Sequence, residues 1–85
     1  MDAYKLLIKP AAVKELEAVH QKDRRRIIWR IQGLAEDPRP PGCEKLSGED
    51  KYRVRQGDYR VIYLVNDESR EVFVFKIGHR REVYR

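Results

Sequence analysis

The chain has 85 residues, 41% of them hydrophobic and 39% charged, so we expect one folded domain and exclude a second hydrophobic core on size alone. The 19 lysines and arginines outnumber the 14 aspartates and glutamates, and the net charge of +5 favours an anionic partner. Cys43 is the only cysteine, which excludes an internal disulfide; without a signal-peptide pattern or a membrane-spanning apolar run, we expect a cytoplasmic protein without a membrane partner.

The first part of the chain predicts a strand followed by a helix. Apolar residues alternate over residues 4–9, and Pro10 both ends this strand and suits the first turn of a helix. The helix extends to about His20, which we expect to be an ordinary surface residue. Its apolar positions recur at three-residue spacing: Val13, Leu16 and Val19.

A second helix follows at once and should form an antiparallel hairpin with the first. Asp23 can cap its start, and the proline-rich run from Asp37 ends it. One apolar stripe runs along it: Ile27, Ile28, Ile31, Leu34 and Ala35. Trp29 falls opposite this stripe, beside Arg25 and Arg26, so it either contacts a partner or packs on the first helix.

From Glu44 onward the hydrophobic period changes from that of a helix to that of strands. Strands are predicted at residues 45–46, 52–56, 59–66 and 71–78. The whole chain, residues 1–85, is therefore predicted to be a single α+β domain: a strand, a two-helix hairpin, and an antiparallel meander of three to four strands.

A two-residue turn at Gly57 and Asp58 fixes the register of the central hairpin. Counting outward from it sets Arg55 directly against Arg60, with Arg53 on the diagonal of the same face. Like charges in this arrangement destabilise a sheet, so the cluster calls for a counter-anion such as a phosphate. The alternative is a solvated face whose arginines pair with nearby carboxylates: Glu44, Glu49, Asp50 or Asp58.

Extending the register through a turn at residues 67–70 assigns the two faces of the sheet. It pairs Leu64 with Phe73, Ile62 with Phe75, and Arg60 with Ile77, and it continues the arginine face to His79. We expect the helices to cover the other face: Tyr52, Val54, Val61, Tyr63, Val65, Val72 and Val74. The arginine face would then be open, with an exposed apolar strip that a protein partner must cover: Ile62, Leu64, Phe73 and Phe75.

The residue types indicate metal-independent phosphodiester chemistry without a cofactor. Two isolated histidines and one cysteine cannot build a closed metal site, and the scattered glycines form no phosphate loop. RNA can still be cut by its own 2′-hydroxyl, provided the protein supplies a base, cations for the phosphate and an acid. We expect candidates for all three to meet at one end of the arginine face: the arginines of the central hairpin together with His79, Arg80, Arg81 and Tyr84.

Two segments, YRVRQGDYRVIY and IGHRREVY, resemble the RelE branch of the RelE/ParE toxin superfamily, and the likeness extends over nearly the whole chain. The resemblance implies a toxin that cuts messenger RNA in the decoding site of the ribosome and is held inactive by a cognate antitoxin. It also implies roles for individual residues. Arg60 matches the arginine that stabilises the scissile phosphate, Tyr84 the proposed general base, and Arg80 or Arg81 the arginine near the leaving oxygen.

Arg53 and Arg55 match RNA-binding positions where bacterial relatives often carry lysine. Because the sequence stops at Arg85, we expect no helix after Tyr84, in contrast to the family. Because an ordinary tyrosine pKa near 10 makes a poor base at neutral pH, His79 is the alternative base, or else a plain surface residue at a strand end. Two other functions stay open. One is DNA gyrase inhibition, which resemblance to the ParE branch implies, and the other is a non-catalytic protein-binding module.

Overall fold

The computed structural model describes residues 3–46 and 50–79, and these contain five strands and two helices. In chain order they are β1 (Lys5–Ile8), α1 (Pro10–Glu17), α2 (Gln21–Gly33), β2 (Glu44–Lys45), β3 (Lys51–Gln56), β4 (Tyr59–Asn66) and β5 (Glu71–His79). One sheet joins the strands in the order β1-β5-β4-β3-β2. The pair β1 and β5 is parallel and the other pairs are antiparallel. The predicted α+β class and element order are confirmed.

Both helices start where their first turns are satisfied locally. Pro10 occupies the first turn of α1, where a missing N–H leaves no bond unmade. Helix α2 begins three residues earlier than predicted, because His20 and not Asp23 is its N-cap: the Nδ1 atom of His20 accepts a hydrogen bond from the N–H of Lys22 at 3.2 Å. His20 is therefore a capping residue, and Asp23 lies in the first turn, where its charge complements the helix dipole.

The central hairpin has the predicted register. Gly57 adopts a φ of 60°, which favours glycine, and the pairs Arg55–Arg60, Val54–Val61 and Arg53–Ile62 follow from the two-residue turn.

The next pair of strands departs from the prediction after its first residues. Leu64 pairs with Phe73 as expected, but the register shifts between Ile62 and Tyr63, where β5 accommodates one extra residue. Ile62 then pairs with Lys76 rather than Phe75, and Arg60 with Gly78 rather than Ile77. A bulge of this kind moves every later side chain of the strand to the other face. The prediction that His79 lies on the arginine face is therefore wrong.

The core lies between the helices and the predicted face of the sheet. Its helical members are Ala12, Leu16, Val19, Ile27, Ile31 and Leu34, and its strand members include all seven residues predicted to lie under the helices. Two predicted members of the helical stripes, Val13 and Ile28, are instead 37% exposed. Neither described helix is long and apolar enough to cross a membrane.

Candidate functional site

The hairpin of β3 and β4 gathers three arginines on the face of the sheet turned away from the helices. Arg55 pairs with Arg60, and Arg53 stands two residues before Arg55, so the alternation of a strand places all three on one side. We call Arg53, Arg55 and Arg60 the arginine cluster. Because the two-residue turn allows little freedom between its strands, the backbone under the cluster is well defined.

Arg60 is the buried member of the arginine cluster and the one buried charged residue among those the structure describes. Its side chain is 6% exposed, and its Nη1 atom donates to the backbone oxygen of Tyr59 at 3.4 Å. The expectation of an open arginine face is therefore wrong for Arg60. Since an arginine stays ionised when buried, the site holds a positive charge fixed by its surroundings before any ligand arrives.

Arg53 is paired with a carboxylate on the neighbouring strand. Its Nη2 and Nε atoms donate to Oε1 of Glu44 at 2.6 and 3.1 Å, as strand β2 brings Glu44 directly opposite Arg53. The hydrogen bonds and charge of Arg53 hold the pKa of Glu44 below its ordinary value, and the charges of Arg55 and Arg60 lower it further. All three arginines of the cluster thus act on the pKa of Glu44. The pairing of an arginine with a nearby carboxylate, one of the two alternatives from the sequence, is found for Arg53.

The apolar strip next to the cluster is less exposed than predicted. Ile62 is buried, at 8% exposure, while Leu64, Phe73 and Phe75 are half-buried. Long basic side chains lie over this strip: the register sets Arg53 opposite Ile62 and Lys51 opposite Leu64. The Nζ atom of Lys51 lies 5.2 Å from the centre of the Phe75 ring. Lysine and arginine stems cover apolar surface in this way while their charges stay in water.

His79 lies on the helix side of the sheet, because the bulge in β5 pairs it with Tyr59. The two rings meet edge to face, with centres 5.7 Å apart. They line an open hollow of about 620 Å³ against the end of α1. There Glu15 accepts the N–H of Ile77 at 2.9 Å and lies 3.3 Å from Nζ of Lys76. Strand β1 ends at Ile8 and pairs with β5 only as far as Val74. Glu15 thereby accepts the backbone N–H of Ile77, which β1 leaves unpaired at the edge of the sheet.

The remaining residues predicted to act in catalysis lie outside the described part of the chain. These are Arg80, Arg81 and Tyr84. His79 is the last residue described, and it pairs with Tyr59, the neighbour of Arg60 in β4. Within residues 3–46 and 50–79, no three histidine, cysteine or acidic side chains come together as metal ligands.

Trp29 is 71% exposed, the most exposed large hydrophobic residue described. Of the two alternatives from the sequence, packing on the first helix is thus wrong and an outward position is found. Because α2 covers the helix side of the sheet, Trp29 and the apolar strip lie on opposite sides of the domain. The two parts of the predicted partner surface are therefore not contiguous.

A network that the sequence did not predict anchors the proline-rich connection before β2. Arg39 binds both carboxylate oxygens of Asp67, at 2.9 and 3.1 Å, and its Nε donates to the Tyr52 hydroxyl at 2.8 Å. Tyr4 donates its hydroxyl proton to Asp67 at 2.7 Å. The hydrogen bonds from Arg39 and Tyr4 hold the pKa of Asp67 below its ordinary value. This network joins β1, the connection and the β4–β5 turn at the end of the sheet away from Gly57.

Comparison with known proteins identifies the class of this α+β domain. Residues 6–84 match the family described as the ParE toxin of type II toxin–antitoxin systems. The chain belongs to this family, within the RelE/ParE toxin superfamily. A segment of 34 residues is 35% identical to toxin RelG of Mycobacterium tuberculosis; it spans 40% of this chain and 39% of RelG.

Solved structures of RelE toxins have the same fold. The archaeal RelE in the RelE–RelB complex from Pyrococcus horikoshii OT3 is 30% identical, with a TM-score of 0.81 over 94% of this chain and 98% of that chain. The isolated RelE toxin of E. coli is 33% identical, with a TM-score of 0.80 over 96% of this chain and 92% of that chain. These matches confirm the resemblance that the two sequence segments indicated.

Proposed function

We propose that this toxin is an endoribonuclease that cuts messenger RNA in the decoding site of the ribosome. The observation that carries the proposal is the arginine cluster, in which one buried arginine and two neighbours form a fixed positive site on a rigid hairpin. A phosphodiester in the act of cleavage gathers negative charge on its oxygens, and preorganised cations stabilise that charge. Membership of the toxin family and the likeness to RelE structures support this chemistry.

In the proposed reaction the 2′-hydroxyl of RNA attacks the adjacent phosphate and needs no metal ion. The attack forms a 2′,3′-cyclic phosphate as the bond from phosphorus to the 5′-oxygen breaks, and that oxygen leaves as a hydroxyl after taking a proton from water. Tyr84 takes the proton of the attacking 2′-hydroxyl, Arg60 stabilises the charge on the phosphate, and Arg80 or Arg81 acts near the leaving oxygen. The position of His79 on the helix side, away from the arginine cluster, argues against the alternative that His79 is the base, so His79→Ala serves as the comparison for Tyr84→Phe. Arg53 and Arg55 bind the RNA backbone.

Binding of RNA at Arg53 requires an exchange of partners. Glu44 occupies two donors of Arg53 in the free protein, and its side chain is 62% exposed. A phosphate can take both donors of an arginine in the same geometry as a carboxylate. The incoming RNA therefore replaces Glu44 at Arg53, and the released carboxylate returns to water.

The proposed cellular partner besides the ribosome is an antitoxin that covers the apolar strip. The half-buried residues Leu64, Phe73 and Phe75 adjoin the arginine cluster, so one acidic and apolar segment can cover both; the predicted contact at Ile62 is limited by its burial. The solved RelE of Pyrococcus horikoshii and that of E. coli are found in complexes with RelB. Contact of the same antitoxin with Trp29 requires a chain that passes round the domain.

A cleavage assay on ribosomes tests the proposal against its alternatives. Purified toxin is added to ribosomes that hold a defined messenger RNA, and new RNA ends are mapped by primer extension. We expect cuts in the decoding site, and Arg55→Ala should reduce them, because it removes one phosphate-binding side chain. Lys14→Ala, which removes one positive charge from the exposed side of α1, should cut like the wild type.

The same samples are assayed for inhibition of DNA gyrase, since the family description names ParE toxins. Loss of supercoiling activity without any RNA cut would replace the proposed function by gyrase inhibition. If a folded preparation shows neither RNA cleavage nor gyrase inhibition, the non-catalytic binding module remains as the function.

A further inference from the structure

The outward side of α2 carries a charge pattern that the proposed cleavage site does not use. Lys22, Arg25, Arg26 and Trp29 are exposed, and their spacing of three and four residues places them along one side of the helix. We call these four residues the Trp29 face. The helix as a whole has five basic residues and one acidic residue, Asp23. The Trp29 face is therefore strongly positive.

The cations of the Trp29 face have no acidic ion-pair partner in the part of the chain that the structure describes. Among residues 3–46 and 50–79, no carboxylate forms an ion pair with Lys22, Arg25 or Arg26, whereas Arg39, Arg53 and Lys76 each have one. Unpaired cations grouped on one side of a helix attract a polyanion and release its counterions on binding. A solvated surface of mixed charge would instead interleave acidic residues at these positions.

Trp29 adds an aromatic surface in the middle of this charge. Its side chain is 71% exposed, and Gly33, one turn further along, contributes no side chain beside it. An open hollow of about 360 Å³ extends from Trp29 to Pro40. A flat ring next to arginines is the combination by which proteins hold an unpaired base and its phosphates.

We infer that the Trp29 face binds RNA, with Arg25 and Arg26 on phosphates and Trp29 stacked on an unpaired base. The inference rests on the proposed function for the class of partner. An acidic protein segment fits less well, because the outward side offers one aromatic ring and no continuous apolar groove for a peptide. Charge complementarity and a single stacking platform match a nucleic acid.

The RNA bound here is a different segment from the one that is cut. The Trp29 face lies on the helix side of the sheet and the arginine cluster on the other, and the shortest dimension of the domain is 25 Å. One strand cannot contact both sides without passing round the domain. Two basic surfaces on opposite sides therefore allow the toxin to sit between two parts of a large folded RNA.

Trp29 is the only tryptophan of the chain, so its fluorescence reports on the Trp29 face directly. The probe is a short unstructured oligouridine, and polyglutamate serves as a polyanion that cannot stack. We expect oligouridine to quench Trp29 by stacking and polyglutamate to leave its fluorescence unquenched. Quenching by polyglutamate equal to that by RNA would assign the face to acidic protein and overturn the inference.

Variants measured with fluorescein-labelled oligouridine test the charges and the ring separately. Arg25→Ala with Arg26→Ala should reduce the slope of log affinity against log salt by about 0.7 for each phosphate that the variant no longer binds. Trp29→Ala should weaken binding about 10-fold, and Trp29→Phe should recover part of that affinity. Lys14→Ala is the control for removal of a charge elsewhere. Unchanged slope and affinity in folded variants would overturn the inference.

Cleavage on ribosomes, measured with the same preparations, separates this inference from the proposed function. If the wild type quenches with RNA but cuts nothing, the proposed function fails and the Trp29 face stands. If Trp29→Ala and the double arginine variant bind and cut like the wild type, the inference that the Trp29 face binds RNA is wrong and the proposed function stands.

Discussion

Replacing Arg60 by alanine separates the chemical role of the buried arginine from its structural role. Arg60 is 6% exposed, so its position is set by the fold before RNA arrives. Removing one preorganised donor to a developing negative charge slows catalysis by about 100- to 1,000-fold, or about 2.7–4 kcal/mol. We therefore expect Arg60→Ala to lower the single-turnover cleavage rate by about 100-fold or more.

The effect of the same substitution on stability is the difference of two terms. Arg60 lies directly opposite Arg55, and removal of one positive charge relieves their repulsion. Against this, alanine leaves buried space and removes the contacts of the guanidinium group, among them the long 3.4 Å bond to the Tyr59 oxygen. A net loss of about 1 kcal/mol is expected, which corresponds to a melting temperature lower by about 4–8 °C for a domain of this size.

The assay pairs single-turnover cleavage on programmed ribosomes with thermal denaturation of the same samples. Arg60→Lys keeps the charge but loses the planar fork, so its cleavage rate should fall between those of the wild type and Arg60→Ala. Lys14→Ala controls for a change of net charge. A folded Arg60→Ala variant that cuts at the wild-type rate would refute the assignment. A variant that unfolds, with Arg60→Lys folded and fully active, would show that Arg60 is structural.

Three further predictions concern stability. Because its partners lower the pKa of Asp67 in the folded state, Asp67 stabilises the fold above its unfolded pKa and loses this effect as pH falls through the folded pKa. In Asp67→Asn, stability followed by circular dichroism should therefore depend less steeply on pH in the acid range. An unchanged pH dependence would contradict the network. Tyr63 is fully buried and donates to the Pro38 oxygen at 2.7 Å, so Tyr63→Phe should cost about 1–3 kcal/mol in urea denaturation by leaving that oxygen unpaired, and a wild-type midpoint would contradict it. Gly57→Ala should lower the melting temperature, because φ at Gly57 is 60°. Gly33→Ala in α2 should raise the melting temperature, because nothing lies within 4 Å of the added Cβ. Equal shifts in the two variants would refute the role of backbone conformation.

The sequence predicted the parts of the fold that short-range rules determine. A two-residue turn at Gly57 leaves one register for the central hairpin, and the opposition of Arg55 and Arg60 followed from counting. The apolar face of the sheet followed from alternation. The first helix boundary was set by Pro10, whose missing N–H suits the first turn of a helix.

The errors have two physical causes. An extra residue in β5 leaves no mark in an alternating sequence, because the bulge depends on how β5 fits β4, and this error put His79 on the wrong face. The helix cap was misplaced because an imidazole can accept a hydrogen bond as a carboxylate does, which made His20 available as a cap three residues before Asp23.

Partners distant in sequence also lie beyond the reach of short-range rules. Arg39 and Asp67 are separated by 28 residues, and nothing in the proline-rich connection indicates the turn to which it is bound. Ile62 is buried although a pattern of polar and apolar residues indicates this face as exposed surface; the long side chain of Arg53 stands opposite it on the next strand.

Under the proposed function, the arrangement of Glu44 explains how a toxin keeps like charges together while remaining ready for RNA. A buried carboxylate would neutralise the arginine cluster permanently, because leaving a charge unpaired in the interior is strongly unfavourable. Glu44 is instead 62% exposed, on the two-residue strand β2, so water receives it when a phosphate takes its place at Arg53. Arg60 is buried, and the fold itself holds it in position. Arg53 and Arg55 thus bind and release RNA, while the buried Arg60 stays fixed for the chemical step.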